Sequence, residues 1–329
     1  MNTNSLKKIL IIRLSSLGDI LLATPLIRSI KNKFPGSEID FVLREEYEDL
    51  LRLNPNVRKI YKYDEAGYIV QSLINSVISE NYDLIIDLQN NFRSRWITRV
   101  SRVPVVRFKK HHLDKFLLVK LKINNLKKLP PVPVRYANTI ENLELDNEGI
   151  ELITDKKPDE RLQSGSNWIG LCPGAKHFTK RWPVENYISL GKLLNENGFQ
   201  VVLFGGILDS ETCSQIADNA ETLNLCNEND ILQTAADMKL CKTIYTNDSG
   251  LMHVATAVKV PVVAIFGSTV KEFGFFPYKA KNIVMENEGL SCRPCTHIGR
   301  AYCPKKHFKC MKEITPELAF EKLNKLNTN

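Results

Sequence analysis

Two polar loops in the second half of the chain carry residue types that suit a phosphate group. The first loop follows the apolar run Trp168–Cys172 and contains Gly174, Lys180 and Arg181. Glycine allows a ligand to approach the backbone closely, and lysine and arginine donate charge-assisted hydrogen bonds to phosphate oxygens. The loop does not end in the Gly-Lys-Ser/Thr of a Walker A motif, and the chain contains no G-x-G-x-x-G. Taken alone, the pattern fits a phosphate loop and an ordinary surface loop equally well.

The second loop opens a predicted helix with Asp248, Ser249 and Gly250. Asp248 or Ser249 can simply cap this helix through a side-chain oxygen. The same arrangement also directs free backbone N–H groups and the positive end of the helix dipole at an anion. His253 lies one turn further along roughly the same helix face, and Thr269 follows the next predicted strand. Small polar residues at two neighbouring strand ends therefore favour an anion site.

Asp19 is the residue of the first half that can do chemistry. It closes the turn between an apolar run at residues 7–13 and a predicted helix at residues 20–30. One interpretation is that Asp19 only begins this helix. If it faces a cleft instead, its carboxylate can act as a general base.

Alternating strands and helices must position these residues, and they occur in two sets. The predicted strands are residues 7–13, 39–43, 57–61 and 82–87 in the first set, and residues 168–172, 200–204, 223–225, 243–245 and 261–266 in the second. This alternation predicts an α/β fold with parallel sheets. A polar stretch at residues 145–167 separates the sets, so we expect one domain at residues 1–155 and another at residues 156–329. Ligands bind at the carboxyl ends of such strands, which predicts a cleft between the two domains.

Composition excludes several classes of protein. The chain has 329 residues, of which 43% are hydrophobic and 25% charged, with 45 Lys and Arg against 37 Asp and Glu. These values are typical of a globular protein long enough for two cores, and they exclude wholesale disorder. No apolar run approaches the roughly 18 residues that span a bilayer, and the apolar residues 9–12 are too few for a secretory signal. We therefore expect a soluble, cytoplasmic protein whose eight cysteines are mostly reduced thiols.

One charge asymmetry falls in residues 91–135. This stretch holds 13 Lys and Arg, Arg93 and Arg95 among them, against the single acid Asp114, and it includes the apolar residues 116–119. It is either a solvated face of an ordinary domain or a docking surface for an anionic partner, such as a phosphorylated molecule or an acidic lipid interface. Nucleic acid fits the charge, but the stretch has no recognised binding motif and no series of aromatic residues for base stacking.

The C-terminal region contains a cysteine cluster with two histidines nearby. Its members are Cys292, Cys295, Cys303, Cys310, His297 and His307. Four thiols can hold a structural Zn²⁺ tetrahedrally, although the spacing is not that of a familiar zinc ribbon. Thiols without metal, or incidental disulfides, are the alternative, and neither implies a catalytic role. The other four cysteines lie in or beside apolar segments, which predicts that they pack in the core.

Together, these motifs resemble those of the heptosyltransferases, glycosyltransferase family nine, whose members build the inner core of lipopolysaccharide. The resemblance rests on five segments: Ser-Leu-Gly-Asp ending at residue 19, Pro-Gly-Ala at 173–175, Lys-Arg-Trp-Pro at 180–183, Asn-Asp-Ser-Gly-Leu-Met-His at 247–253 and Gly-Ser-Thr at 267–269. It covers nearly the whole chain, from about residue 7 to the cysteine-rich tail. The Cys-x-x-Cys at residues 292–295 is similar to the heptosyltransferase II branch.

The resemblance implies a GT-B fold, with two Rossmann-like domains whose parallel sheets face an interdomain cleft. The first domain would bind the acceptor and the second the nucleotide sugar. The implied reaction is an inverting transfer of heptose from ADP-heptose to a hydroxyl of an acidic, lipid-linked acceptor that contains Kdo or heptose. No cofactor, no catalytic metal and no nucleic acid partner are implied. A C-terminal helix at residues 316–325, capped by Thr315, would return to the first domain.

The resemblance also implies roles for individual residues. Asp19 matches the proposed catalytic base, and Lys180, with Arg181 beside it, matches the basic residue associated with the donor phosphate. The remaining donor-binding residues implied are Asp248, Ser249, Gly250, His253 and Thr269. Arg93 and Arg95 are assigned to the acidic acceptor, and the basic stretch to peripheral contact with the cytoplasmic face of the inner membrane.

Overall fold

The computed structural model describes residues 6–63, 68–99, 101–163 and 165–328. The chain divides into two compact units, Met1–His111 with Pro130–Ile153 and His112–Leu129 with Thr154–Asn329. The division after Ile153 lies close to the boundary expected at residue 155. The expected boundary places His112–Leu129 in the first domain, but the structure places this segment in the second unit. There its Leu118 and Leu126 form a buried cluster with Phe273.

The first unit is built on a five-stranded parallel sheet. Its strands are β1 (Lys8–Ile12), β2 (Glu38–Arg44), β3 (Lys59–Tyr63), β4 (Leu84–Asp87) and β5 (Val105–Arg107). They lie in the order β3-β2-β1-β4-β5, and Ile9 of β1 pairs with Ile39 on one side and Leu84 on the other. Its first four helices are α1 (Leu17–Leu21), α2 (Thr24–Lys33), α3 (Tyr68–Ser79) and α4 (Phe92–Arg99). Helix α5 (His112–Leu121) follows in the chain but belongs to the second unit, and α6 (Val132–Ala137) belongs to the first.

The sequence of β1 and the segment after it explain this local structure. Residues 9–12 are completely buried, as expected for a parallel strand covered on both faces. The predicted helix at residues 20–30 is divided in the structure, because α1 ends at Leu21 and α2 begins at Thr24. Pro25 causes the break, since proline has no N–H for a helical hydrogen bond and is tolerated only in the first turn.

The second unit is built on a six-stranded parallel sheet. Its strands are β6 (Trp168–Cys172), β7 (Gln200–Leu203), β8 (Leu223–Asn224), β9 (Thr243–Asn247), β10 (Val262–Phe266) and β11 (Asn282–Glu286), in the order β11-β10-β9-β6-β7-β8. Its further helices are α7 (Val184–Glu196), α8 (Ser210–Ala217), α9 (Ile231–Met238), α10 (Gly250–Ala257), α11 (Lys309–Lys312) and α12 (Pro316–Thr328). The two parallel sheets confirm the predicted α/β class.

The C-terminal helix α12 packs within the second unit, so the expectation that it returns to the first domain is wrong. Its Ala319, Leu323 and Leu326 are buried, as their spacing predicts. They belong to the same core cluster as Leu190 and Leu194 of α7. The neighbouring helix of its own unit therefore covers the apolar face of α12.

Each sheet reverses its winding direction at one point, and polar loops follow the strands there. The reversal lies between β1 and β4 in the first sheet and between β6 and β9 in the second. Ligands of doubly wound sheets bind beyond the carboxyl ends of the strands at such a point. Asp19 follows β1, Lys180 follows β6 and Asp248 follows β9, so the topology places all three at these reversals.

Across the described part of the chain, no helix combines the length and the apolar content that crossing a bilayer requires.

Candidate active site

Asp19 lies in the first turn of α1 and is held by three side chains of its own unit. The Arg13 NH2 group lies 2.6 Å from Asp19 Oδ1, and Ser16 Oγ donates to Asp19 Oδ2 at 2.8 Å. The Tyr136 hydroxyl donates to Asp19 Oδ1 at 3.4 Å, and the backbone N–H of Ser16 donates to Oδ2 at 3.2 Å. Asp19 thus closes the first turn of its helix and also lies in a polar cluster at the carboxyl end of β1.

Arg13 is itself fixed by the strand ends at the reversal of the first sheet. Its NH1 group donates to the carbonyl oxygen of Leu88 at 2.8 Å. The neighbouring Gln89 side chain accepts a hydrogen bond from the Leu14 N–H at 3.0 Å. Leu88 and Gln89 follow β4, so residues beyond two adjacent strands hold the cation that pairs with Asp19.

The surroundings of Asp19 keep its carboxylate ionised. Burial raises the pKa of Asp19, but the positive charge of Arg13 and the hydrogen bonds from Ser16 outweigh burial and bring the pKa below the ordinary 3.8. Burial also raises the pKa of the Tyr136 hydroxyl, which therefore stays a neutral donor. A fixed, ionised carboxylate can take the proton of a hydroxyl group whose oxygen is forming a new bond.

In the second unit, three residues of the predicted anion site form one hydrogen-bonded group. Lys180 Nζ lies 2.7 Å from Asp248 Oδ2, and Thr269 Oγ1 donates to the same oxygen at 2.7 Å. The side chains of Lys180 and Asp248 are only 17% and 8% exposed, so water reaches this charge pair poorly. The loops after β6, β9 and β10 therefore meet at the Lys180–Asp248–Thr269 group.

Asn247, the last residue of β9, ties two of these loops together. Its side-chain amide donates to the carbonyl oxygen of Pro173 at 2.7 Å and accepts from the Trp182 N–H at 3.0 Å. Arg181 Nε donates to the carbonyl oxygen of Ala175 at 2.6 Å. The Arg181 side chain thus braces the Pro-Gly-Ala turn of its own loop.

Two serine hydroxyls of these loops have no hydrogen-bond partner among the residues that the structure describes. They are the buried atoms Ser249 Oγ and Ser268 Oγ. Ser249 is the N-cap of α10, yet its side chain does not make a capping bond. Buried hydroxyls are normally paired, so these two indicate a partner that the protein itself does not supply, such as an ordered water or a ligand group. Gly250 begins α10, where the first N–H groups lack helical partners, and His253 is buried one turn further.

The cysteine-rich tail supports the loop after β10. Arg293 is buried and donates to the carbonyl oxygens of Gly267 at 2.6 Å and Thr269 at 2.9 Å. The backbone N–H of Cys295 donates to the carbonyl oxygen of Ser268 at 3.2 Å. Within the described residues, no group of three or more His, Cys, Asp or Glu side chains is arranged to hold a metal ion.

Arg93 and Arg95 lie on α4 of the first unit, and both side chains are exposed. The start of α4 is anchored at the carboxyl end of β4. There Ser94 Oγ donates to Asp87 Oδ2 at 3.0 Å, and the Ser94 N–H donates to Asn91 Oδ1 at 3.0 Å. Arg93, Arg95 and Asp19 thus belong to the first unit, whereas the predicted anion site belongs to the second.

Three residues that hold these loops were not predicted as part of the site: Arg13, Asn247 and Arg293. Arg13 and Asn247 do carry a signal, because each is a polar residue at the end of an apolar strand. A buried polar group needs a partner, so such a residue marks a place where loops are joined. Arg293 carries no comparable signal, since the site carbonyl groups that it holds, those of Gly267 and Thr269, lie 26 and 24 residues earlier in the chain.

Most of the chain matches a known family of enzymes. The profile of glycosyltransferase family 9 (heptosyltransferase) matches residues 70–306. Lipooligosaccharide heptosyltransferase 2 of Campylobacter jejuni subsp. jejuni serotype O:6 is 28% identical over 324 residues, which cover 95% of this chain and 96% of that protein.

Solved structures of this family are also similar to the chain. The structure of E. coli ADP-heptose LPS heptosyltransferase II has a TM-score of 0.72 at 26% identity, with 97% of this chain and 98% of that chain covered. The glycosyltransferase family 9 structure from Veillonella parvula DSM 2008 shares the fold, with a TM-score of 0.79 at 22% identity and 97% of both chains covered. The chain therefore belongs to glycosyltransferase family 9, the heptosyltransferases, and is a glycosyltransferase of the GT-B fold.

Proposed function

We propose that this glycosyltransferase is an inverting heptosyltransferase that moves heptose from ADP-heptose to a lipid-linked acceptor of the lipopolysaccharide inner core. The observation that carries the proposal is the Lys180–Asp248–Thr269 group beside the N-terminus of α10. A shielded cation and a helix N-terminus suit the two phosphates of a nucleoside diphosphate. The heptosyltransferase relatives support heptose as the sugar.

In the proposed reaction, the second unit holds the leaving group. Lys180 has three N–H donors, so it can bind a phosphate oxygen while it keeps its contact with Asp248. As the bond between the anomeric carbon and the diphosphate breaks, negative charge grows on the β-phosphate. Lys180 and the N-terminus of α10 stabilise this charge, and ADP leaves as an anion that needs no proton.

The first unit supplies the base of the proposed reaction. Asp19 takes the proton of the acceptor hydroxyl while the hydroxyl oxygen attacks the anomeric carbon from the face opposite the diphosphate. A single displacement of this kind inverts the anomeric configuration. Arg13 and Ser16 fix the carboxylate before the acceptor arrives, which reduces the entropy lost in reaching the reactive geometry.

A panel of nucleotide sugars tests the donor. We expect calorimetry to show binding of ADP-heptose and ADP, and much weaker binding of UDP-sugars. Transfer to a Kdo-containing acceptor should then give the inverted anomer by NMR. Tight binding of a UDP-sugar without binding of ADP-heptose would identify a glycosyltransferase of the same fold with a different donor.

We further propose that α5 makes peripheral contact with the cytoplasmic face of the inner membrane. Leu113, Phe116 and Leu121 are 69%, 55% and 60% exposed, and Lys115 and Lys120 lie among them. Exposed apolar side chains interspersed with lysines suit the surface of an anionic bilayer. Because α5 packs with the second unit, the proposed contact shifts to that unit from the first domain.

Phe116→Ser is expected to weaken binding to anionic vesicles about ten-fold, since burial of such a side chain contributes about 1.5–3 kcal/mol. Sedimentation with phosphatidylglycerol vesicles measures the effect, and neutral vesicles should bind little. Leu318→Ser is the matched control, because Leu318 is a 44% exposed apolar side chain on α12. If Phe116→Ser sediments as the wild type does, α5 is only a solvated face.

A further inference from the structure

Helix α4 exposes two aromatic rings beside three arginines. Phe92 is 79% and Trp96 is 49% exposed, and their ring centroids lie 6.2 Å apart. With Arg95, Arg99 and Arg107 they line a groove of about 450 Å³, here called the α4 groove. Adjacent exposed aromatic side chains are a feature of binding sites rather than of solvated surfaces.

Two of the arginines in the α4 groove are held by hydrogen bonds to the protein, whereas Arg99 is not held within the described residues. The Arg107 NH2 group donates to Thr98 Oγ1 at 3.0 Å. Arg95 donates to Asn90 Oδ1 through Nε at 3.2 Å and through NH2 at 3.1 Å. Arg99 makes no hydrogen bond or ion pair with any residue that the structure describes. The groove therefore offers oriented guanidinium groups with spare donors.

This combination selects a ligand that has both an anionic group and an apolar face. Guanidinium groups pair with the oxygens of a carboxylate or a phosphate in a bidentate geometry. Exposed rings offer apolar surface to the C–H face of a sugar. A bare anion would gain nothing from the rings, and an apolar ligand would gain nothing from the arginines. An acidic sugar meets both requirements.

The α4 groove lies at the same edge of the first sheet as Asp19. Helix α4 follows β4 and Arg107 ends β5, so both lie at the carboxyl end of the sheet, where Asp19 follows β1. Lys110 connects the two places, since it is within electrostatic range of Asp19, Asp87 and Arg95. An acceptor of several sugars can therefore place one unit in the groove and another at Asp19.

We propose that the α4 groove is an acceptor subsite for an acidic sugar unit, bearing a carboxylate or a phosphate, next to the unit whose hydroxyl meets Asp19. This inference rests on the proposed function and adds a selection rule to it. The enzyme selects its acceptor by the charge of a neighbouring sugar as well as by the attacked hydroxyl. Loss of that charge weakens acceptor binding and leaves the chemical step intact.

Trp96 provides a direct readout of the α4 groove. The chain has three tryptophans, and Trp168 and Trp182 are only 7% and 2% exposed, so acrylamide quenching reports mainly on Trp96. We expect Kdo, an eight-carbon sugar acid, and glucose 1-phosphate to protect Trp96 from quenching. Kdo methyl ester and glucose, the neutral controls, should bind about ten-fold more weakly, since hydrogen bonds to charged groups are the stronger ones.

The outcomes of this titration are distinct. Protection by Kdo alone identifies a carboxylate subsite, protection by glucose 1-phosphate alone identifies a phosphate subsite, and protection by both identifies a general acidic-sugar subsite. Equal protection by acidic and neutral sugars contradicts the proposal. So does the absence of protection by every sugar in the set.

Variants test the α4 groove during transfer. Arg99→Gln and Trp96→Ala should each raise the KM for an acidic acceptor about ten-fold, with kcat and the donor KM unchanged. Trp96→Phe keeps a ring and should recover most of the loss. Arg102→Gln removes the same charge from an exposed arginine outside the groove and should keep the wild-type KM.

The two proposals fail in different ways. If the wild type transfers heptose and Arg99→Gln and Trp96→Ala keep its acceptor KM, the α4 groove is not an acceptor subsite. If the wild type transfers no heptose, the proposed function itself is wrong.

Discussion

Replacing Asp19 by asparagine is expected to lower kcat for heptose transfer by about 10²–10⁴-fold, the range that general acid–base groups contribute. Asparagine has nearly the same size and keeps an oxygen that accepts the hydrogen bond from Ser16, but it cannot take the acceptor's proton. The proposed donor residues lie in the other unit, so the Kd for ADP should be unchanged. ADP release during transfer and calorimetric titration with ADP measure the two quantities.

Asp19→Asn also removes the carboxylate that pairs with Arg13, and this effect must be separated from the chemistry. The Arg13 side chain is 10% exposed, and removal of one partner of a buried ion pair destabilises a protein by about 3–5 kcal/mol. Arg13→Met combined with Asp19→Asn removes both charges, so Tm should largely recover while kcat stays low. A folded Asp19→Asn protein with the wild-type kcat would exclude Asp19 as the base.

The pH profile provides a second check on the same ion pair. Burial raises the pKa of Asp19, but the charge of Arg13 and the hydrogen bonds from Ser16 together bring it below 3.8. A carboxylate whose pKa is lowered on folding stabilises the folded state above its unfolded pKa, and this stabilisation is lost as the pH falls through the folded pKa. Because the carboxylate stays ionised, and so remains able to act as a base, above its lowered pKa, we also expect Asp19 to leave kcat/KM unaffected from neutral pH down to about pH 4. In Arg13→Gln only the hydrogen bonds from Ser16 oppose the effect of burial, so the acid limb should move to higher pH, and an unmoved limb would contradict this role of Arg13.

The central strands could be predicted from the sequence because a buried parallel strand is a continuous apolar run. The prediction for β6 matches the observed Trp168–Cys172 residue for residue. The strands β5 and β11 were not predicted. Both are edge strands whose residues are mainly half-buried, so they lack the apolar run of a central strand.

The unit to which a surface helix belongs could not be predicted. Helix α5 packs with the second unit through Leu118, which belongs to the same buried cluster as Phe273, a residue far along the chain. Helix α12 has an apolar face that its spacing reveals, but the same face would fit either unit. Local patterns determine where a helix forms, whereas its packing partner depends on contacts between distant segments.

The position of the candidate site could be predicted, but its pairings could not. Polar turns at strand ends are local, and they marked Asp19, Lys180 and Asp248. The contact of Lys180 with Asp248 exists only because β6 and β9 are neighbours in the sheet. Likewise, Arg13 reaches its partner Leu88 only because β1 and β4 are adjacent.

Replacing Lys180 by alanine is expected to raise the Kd for ADP by about 10–100-fold, because hydrogen bonds to charged groups contribute about 1.5–3 kcal/mol. The Lys180 side chain is shielded from water, so added salt should weaken ADP binding to the wild type only modestly. The substitution also leaves the Asp248 carboxylate, which is 8% exposed, without its cation in the site proposed for the diphosphate. Repulsion between these anions adds to the lost contact. Lys176→Ala, at an exposed lysine of the same loop, is the matched control and should keep the wild-type Kd.

A double variant separates the lost contact from the repulsion. Asp248→Asn removes the like charge and keeps an oxygen that accepts from Thr269. In the Lys180→Ala background it should therefore recover part of the ADP affinity, and the four Kd values should be non-additive, as expected for residues in direct contact. If Lys180→Ala binds ADP as tightly as the wild type does, the diphosphate contact lies elsewhere, for example at Arg181. If the four Kd values are additive, Lys180 and Asp248 act independently, and their shielded pair is not the feature that holds the donor.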